Sequence, residues 1–159
     1  MLETYLSLLE LAYFELGESF RELADENVWK RPAEGILSVG ELAAHIAYGE
    51  VKHLVGGGTV NSPLLDQRFR YYTVSVATPP SEVHLAMTAA QVHTELVRIH
   101  QEAVEALKAR NLNLESPAPE NSPGNTHGEV LQYMVFHISY HIGQIYTVRH
   151  LLGEETPDN

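Results

Sequence analysis

Four segments of the chain repeat apolar residues at spacings of three and four, and this period constrains the fold more than any other feature of the sequence. Such spacing places apolar side chains along one face of an α-helix. Strand-like alternation is nearly absent, and breaker-rich loops separate the four segments. We therefore predict an all-α protein, a four-helix bundle formed by a single domain of residues 1–159. The predicted helices cover about residues 2–24, 39–54, 79–110 and 127–152.

Polar residues mark two of the predicted helix starts. Ser38 and Glu41 have the spacing of a capping box before the second helix. Thr126 and Glu129 repeat that spacing before the fourth helix. In such a box the hydroxyl accepts a hydrogen bond from the amide three residues later, and the carboxylate reaches back to the first amide. We expect both boxes to form.

The connection between the second and third helices, residues 59–78, is too long for a simple hairpin. This length is typical of a crossover along the bundle or of a functional loop. The glycines at 56–58 are predicted to end the second helix. Thr78 and Ser81 are alternative caps for the third helix, and the sequence does not choose between them.

The charge and the missing residue types exclude several functions. Ten basic residues against 21 acidic ones give a net charge of −11, which repels nucleic acids and anionic membranes. The chain has no cysteine, which excludes disulfides, zinc–thiolate sites, iron–sulfur clusters and a cysteine nucleophile. We expect neither a membrane span nor a secretory signal, and a cytoplasmic location.

Three of the nine histidines, each on an apolar helix face, are the main ligand candidates. His137 and His141 are one turn apart, so both imidazoles project from the same face of the fourth helix. Spacing alone is weak evidence, because nine histidines in this length give about 0.5 such pairs at random. Both nevertheless lie within the core-facing arc, and His45 lies between Leu42 and Ile46 on the apolar face of the second helix. Three inward imidazoles can meet at one metal ion.

A purely structural role is the alternative for these residues. Core imidazoles bonded to the backbone, a tyrosine or each other produce the same pattern without a metal. The structural interpretation is favoured for His45 alone, and the metal site is favoured for the three together. Imidazole ligands suit zinc, nickel, iron and copper, so the identity of the metal stays open.

The other histidines are weaker ligand candidates. His53 lies on the inner arc of the second helix, two turns beyond His45, while His127 and His150 lie at the two ends of the fourth helix. Surface positions are predicted for three histidines beside the apolar stripe of the third helix: His84, His93 and His100.

A histidine that binds a metal usually forms a second hydrogen bond through its other ring nitrogen, and this bond orients the ring. We expect side chains that supply such bonds near the three histidines. Gln144 lies one turn after His141 on nearly the same arc. Glu41 lies near the face of His45 but is occupied by its capping role, and Glu50 points away from His45. None of these three side chains is assigned a catalytic role.

The long connection contains four side chains that can hold an anionic or aromatic substrate. The alternative, an ordinary loop packed over the bundle, is favoured, because long loops are functional only in some proteins. Trp29 is expected to pack at a corner of the fold. The four loop residues are Arg68, Arg70, Tyr71 and Tyr72.

Two segments resemble the DinB-like (DinB/YfiT) superfamily: SVGELAAHI at residues 38–46 and HISYHIGQI at residues 137–145. One early histidine followed by a late His-x-x-x-His with Gly-Gln is a fairly specific pattern, and the order of helices and loop lengths also matches. The resemblance implies a four-helix bundle, a homodimer, and a divalent metal held by His45, His137 and His141. Superfamily members with known activities include bacillithiol S-transferases and mycothiol-dependent maleylpyruvate isomerases.

These implications lead to three functional hypotheses. The first is a metal-dependent enzyme that transfers a low-molecular-weight thiol to a small electrophile, with zinc, nickel or iron as the divalent metal. Because the chain has no cysteine, the thiol would be an external cofactor. The second is a hydrolase that uses metal-bound water. The third is a non-enzymatic, stress-linked binding module. For a homodimer, the apolar stripe of the first helix and residues 147–152 are candidate contact surfaces.

Overall fold

The all-α fold predicted from the apolar period is confirmed. The computed structural model describes residues 1–56 and 59–157, and within these ranges it contains helices and no strand. Four of the helices are long. In chain order the α-helices are α1 (Leu2–Phe20), α2 (Asp25–Val28), α3 (Val39–Glu50), α4 (Tyr72–Ala77), α5 (Glu82–Leu85), α6 (Ala89–Ala109) and α7 (His127–Leu151).

The four long helices enclose one apolar core. Helices α1 and α3 each pack against both α6 and α7. The apolar stripes predicted from the sequence supply the core: Leu9 and Leu16 of α1 and Leu96 of α6 are completely buried. The predicted stripe of the first helix is therefore core rather than a contact surface for a second copy. None of the described helices is long and apolar enough to cross a membrane.

The first helix ends earlier than predicted. Its last residue is Phe20, because Arg21 is extended and Glu22 adopts a left-handed conformation with φ of 59°. A left-handed residue breaks the right-handed helix, and the chain then forms the short helix α2. The periodic stripe continues past this break, since Leu23 is also buried, and the apolar period alone could not locate the end.

The capping box before α3 is confirmed. The Ser38 hydroxyl accepts from the Glu41 amide, and the Glu41 carboxylate accepts from the Ser38 amide at 3.0 Å. After Glu50 the helix continues as a π-helical turn, Val51–Val55. The helical segment therefore has about the predicted length, but its last turn is not α-helical. Gly56 ends this turn with φ of 69°, while Gly57 and Gly58 lie outside the described residues.

The predicted third helix is two helices. Ser81 caps the short helix α5, and Thr88 begins the long helix α6 with its own capping box, formed with Gln91. Neither proposed cap therefore starts the long helix. The preceding connection contains a 3₁₀ turn, Gln67–Phe69, and helix α4, so it is not an irregular loop.

The fourth helix begins as predicted, with half of the expected capping box. Thr126 accepts from the Glu129 amide at 3.2 Å. The Glu129 carboxylate accepts from the Asn125 amide at 2.6 Å, one residue earlier than a standard box requires. The helix then runs to Leu151, which agrees with the predicted end to within one residue.

A buried carboxylate ties the connection to the start of α3. Glu41 is completely buried, and it accepts hydrogen bonds from Arg31 at 2.7 Å and from Arg68 at 2.9 Å. Burial opposes ionisation, but the bonds from Arg31, Ser38 and Arg68 outweigh it and lower the pKa of Glu41. Trp29 packs at the adjoining corner against Gly40, as expected.

Candidate metal centre

Three histidines from two helices converge, as the sequence predicted. His45 of α3 meets His137 and His141 of α7, and their candidate ligand nitrogens all lie within 4.8 Å of one another. The Nε2 atoms of His45 and His137 are 3.2 Å apart. Nitrogens bound about 2.0–2.1 Å from a tetrahedral ion lie roughly 3.3–3.4 Å apart, so this pair already has the required spacing.

Two of the rings have partners that fix their tautomers. His45 Nδ1 donates to the carbonyl of Phe69 at 2.7 Å, and His141 Nδ1 donates to the side-chain oxygen of Gln144 at 2.6 Å. Both partners are acceptors, so each Nδ1 carries the proton and each Nε2 keeps a lone pair. Gln144 was anticipated from its helical spacing. Phe69 was not, because a backbone carbonyl from a distant turn leaves no signal in the sequence.

His137 is held by packing instead. Its Nδ1 is buried with no hydrogen-bond partner in the described ranges. Its ring stacks on Tyr133, with 5.5 Å between centroids. On another side it lies against Gly49 of α3, where an added Cβ would be only 3.1 Å from the ring Cε1. Gly49 therefore permits the close approach of α3 and α7 that brings the three rings together.

The environment keeps the three imidazoles neutral. Burial, reinforced by the neighbouring imidazoles His141, His45 and His53, lowers the pKa of His137 to about 3. Burial also lowers the pKa of His141 to about 4 and reduces that of His45, where the Phe69 carbonyl acts in the opposite direction. At neutral pH no proton competes for the lone pairs, and the residues fit a divalent cation.

The three nitrogens lie at one side of an open cleft of about 470 Å³. Phe136 and Tyr140 of α7 are 62% and 54% exposed there, so small molecules have access to the rings. The amide of Gln144 donates to the Tyr140 hydroxyl at 3.3 Å, which leaves the hydroxyl proton available. Four aromatic side chains line the cleft beside the histidines: Tyr72, Tyr133, Phe136 and Tyr140.

One of the four loop residues proposed to hold substrate lies in this cleft. Tyr72 lines it, whereas Arg68 is buried and bonded to Glu41. Arg70 and Tyr71 line a different cavity, on the side of the structure where His127 lies. The packed-loop interpretation is therefore correct for Arg68, whose charge is paired with the buried Glu41.

Two of the three histidines predicted at the surface are buried. His84 bonds to Ser81 and to the carbonyl of Pro63, and His100 bonds to Glu50. Ser81 is the N-cap of His84's own short helix α5, whereas the Pro63 carbonyl and Glu50 come from distant parts of the chain, which the apolar spacing could not reveal. His93 is half-buried, as are His53 and His127, and His150 is exposed. None of these six belongs to the three-histidine cluster.

The comparison with known families agrees with the geometry. The sequence profile of the DinB superfamily matches residues 8–145, which includes both histidine segments. No curated protein and no solved structure matches the chain. The match covers most of the 159 residues and includes the three-histidine cluster. The chain belongs to the DinB superfamily.

Proposed function

We propose that the protein is a metal-dependent enzyme that transfers a low-molecular-weight thiol to a small electrophile. In this proposal His45, His137 and His141 hold one divalent transition metal, with zinc, nickel or iron as the ion. The observation that carries the proposal is the convergence of three neutral imidazoles at an open cleft. Three protein ligands beside an open side are typical of a catalytic site, whereas structural sites are closed by four protein ligands.

The donor set determines the chemistry. Neutral imidazoles add no negative charge, so the ion would retain its full charge and hold a coordinating thiol as thiolate or lower the pKa of coordinated water. The chain supplies no thiol of its own, because it has no cysteine. The sulfur nucleophile must therefore come from a small molecule, and the open cleft gives that molecule access.

The aromatic walls bind the electrophile in this proposal. Tyr72 and Phe136 offer apolar surface on opposite elements of the cleft, and Tyr140 offers a hydroxyl proton beside His141. A hydroxyl donor at this position can stabilise negative charge that develops on the electrophile as the sulfur attacks. An aromatic or unsaturated electrophile fits these surfaces better than a highly charged one.

We also propose a homodimer in the cytoplasm, where thiols are kept reduced. The predicted stripe of α1 is buried, but two apolar residues on its other side, Leu8 and Leu11, are exposed. A second copy covering this surface would remove it from water. Light scattering at several protein concentrations gives the assembly state, and a monomer throughout would remove this part of the proposal.

Metal content is the first test. Untagged protein purified without added metal or chelator should contain about one transition-metal ion per chain by elemental analysis. We expect His137→Ala and His141→Ala to lose most of this metal, because each removes one ligand, and His93→Ala to retain it. Equal content in all three variants would contradict the ligand assignment. So would wild-type protein that binds no zinc, nickel or iron on reconstitution.

Thiol dependence is the second test. The loaded protein is mixed with 1-chloro-2,4-dinitrobenzene and, in turn, glutathione, coenzyme A, bacillithiol or mycothiol. Transfer forms a C–S bond as the C–Cl bond breaks, and it releases chloride and the thiol proton to solvent. We expect metal-dependent turnover with one of these thiols. Metal-dependent hydrolysis of 4-nitrophenyl acetate without thiol would instead indicate a hydrolase, and tight metal binding with neither activity would indicate a binding module.

A further inference from the structure

A second and larger cleft lies between α1 and α6. Its volume is about 1140 Å³, against about 470 Å³ at the histidine cluster. The two clefts share no lining residue. Most of the wall is apolar, and its main apolar members are Leu6, Phe14, Phe20, Val97 and Val104.

A buried hydrogen-bonded cluster contributes two side chains to this wall. Glu50 of α3 is completely buried, and its carboxylate accepts from Tyr13 of α1 and from His100 Nδ1 of α6, the latter at 2.7 Å. The rings of Tyr13 and His100 stack with centroids 3.5 Å apart, and both line the cleft. A carboxylate on Nδ1 fixes the ring in the tautomer whose Nε2 is an acceptor.

His100 Nε2 has no hydrogen bond in the part of the chain that the structure describes, although the residue is only 7% exposed. The described residues contain three buried side-chain polar atoms without a partner, and His100 Nε2 is not one of them. The atom therefore keeps some exposed surface, and because His100 lines the cleft, a ligand there can reach it. The same arrangement, an imidazole oriented by a buried carboxylate, makes Nε2 a strong acceptor. The cleft therefore offers one directed acceptor on a mostly apolar wall.

The charges around the cleft favour a cation. Its lining contains four glutamates and two basic residues, and each basic residue, Arg21 or Lys108, forms an ion pair with the glutamate three positions earlier. Glu10 and Glu22 have no ion pair among the described residues. Aromatic ring faces also attract cations, and the rings of Tyr13 and the α1 phenylalanines line the same space.

We propose that the α1–α6 cleft binds an apolar organic amine. Its ammonium group donates to His100 Nε2 and lies near the unpaired glutamates, and its aromatic or aliphatic body occupies the apolar wall. An added Cβ at Gly17 would lie in ordinary contact, 3.6 Å from His93 Nε2, so a larger side chain at this position would extend into the cleft. This site is separate from the histidine cluster and does not depend on its metal.

The test uses 2-phenylethylamine as the probe and 3-phenylpropionate as its matched anion. Calorimetry should show saturable binding of the amine with a dissociation constant of about 1 mM or tighter, and none of the anion. Gly17→Leu, which fills the cleft and favours the helix, should weaken amine binding at least tenfold. His141→Ala, at the other cleft, should bind the amine as the wild type does.

Several results would overturn the proposal. They are equal binding of the anion, unchanged binding by Gly17→Leu, or loss of binding in His141→Ala. Because His100→Leu leaves Glu50 without one donor and can destabilise the fold, Gly17→Leu is the decisive variant, with thermal unfolding as the check that it is folded. Absence of amine binding together with a wild-type dimer that Gly17→Leu dissociates would assign the cleft to a second copy instead.

Discussion

Replacing Gly49 by alanine should weaken metal binding without weakening the fold. The new Cβ would lie 3.1 Å from His137 Cε1, 3.4 Å from Nδ1 and 3.7 Å from the Met134 methyl. Ordinary carbon contacts begin near 3.5 Å, so the His137 ring must move by about 0.4 Å. Well-formed metal sites hold ligand distances to within about 0.2 Å. The displacement is about twice that tolerance.

The expected loss of metal affinity is at least about tenfold, the lower end of what changes beside metal ligands cost. Alanine favours a helix over glycine by about 1 kcal/mol, so the apo protein should unfold at the same temperature or higher. Gly143→Ala is the matched control, because it lies on α7 two residues after His141 and a Cβ there meets nothing within 4 Å.

Competition with a chromogenic zinc chelator measures the affinity of all three proteins, and thermal unfolding of the apo forms measures stability. We expect Gly143→Ala to bind zinc like the wild type and to gain thermal stability. Gly49→Ala binding zinc as tightly as the wild type would refute the reasoning, since the helix approach would then not position His137. A similar loss in both variants would refute it as well.

Three further outcomes follow from the site and its support. Gln144→Leu removes the acceptor of His141 Nδ1 and should lower zinc affinity about 10–100-fold in the same chelator assay. The apo protein should lose stability below pH 6.5, because unfolded histidines bind protons that the folded site excludes. With a folded pKa of about 3, His137 alone costs about 2 kcal/mol at pH 5, measurable by urea denaturation at pH 7 and 5. Glu41→Gln leaves two arginines without their carboxylate and should cost about 3–5 kcal/mol in the same titration.

The sequence predicted the helices because their cause is local. An apolar stripe and a capping box both depend on residues that are close in sequence, and the box at Ser38 and Glu41 formed as expected. The errors occurred where backbone conformation changed without a change in the stripe. The left-handed Glu22 ended α1 early, and a second cap at Thr88 divided the third helix.

The candidate site was predictable as far as its histidines lay on core-facing arcs. Its remaining parts depend on contacts between distant elements, which helical spacing does not encode. The carbonyl of Phe69 reaches His45 across 24 positions, and Gly49 matters only because His137 packs on it. His100 was predicted at the surface for the same reason, since its partner Glu50 lies 50 positions away.

The carboxylate of Glu41 links two segments that support the candidate metal site. It caps α3 through Ser38, and it holds Arg68, the residue next to Phe69, whose carbonyl orients His45. We therefore expect the first turn of α3 and the 3₁₀ turn of the connection to open as one unit, because neither can leave without breaking the same buried ion pair. Local unfolding that releases the connection also releases one candidate ligand from its orientation. The rate at which an ion leaves the three histidines would then depend on the opening of this connection, whose residues Arg68 and Phe69 are buried in the folded chain.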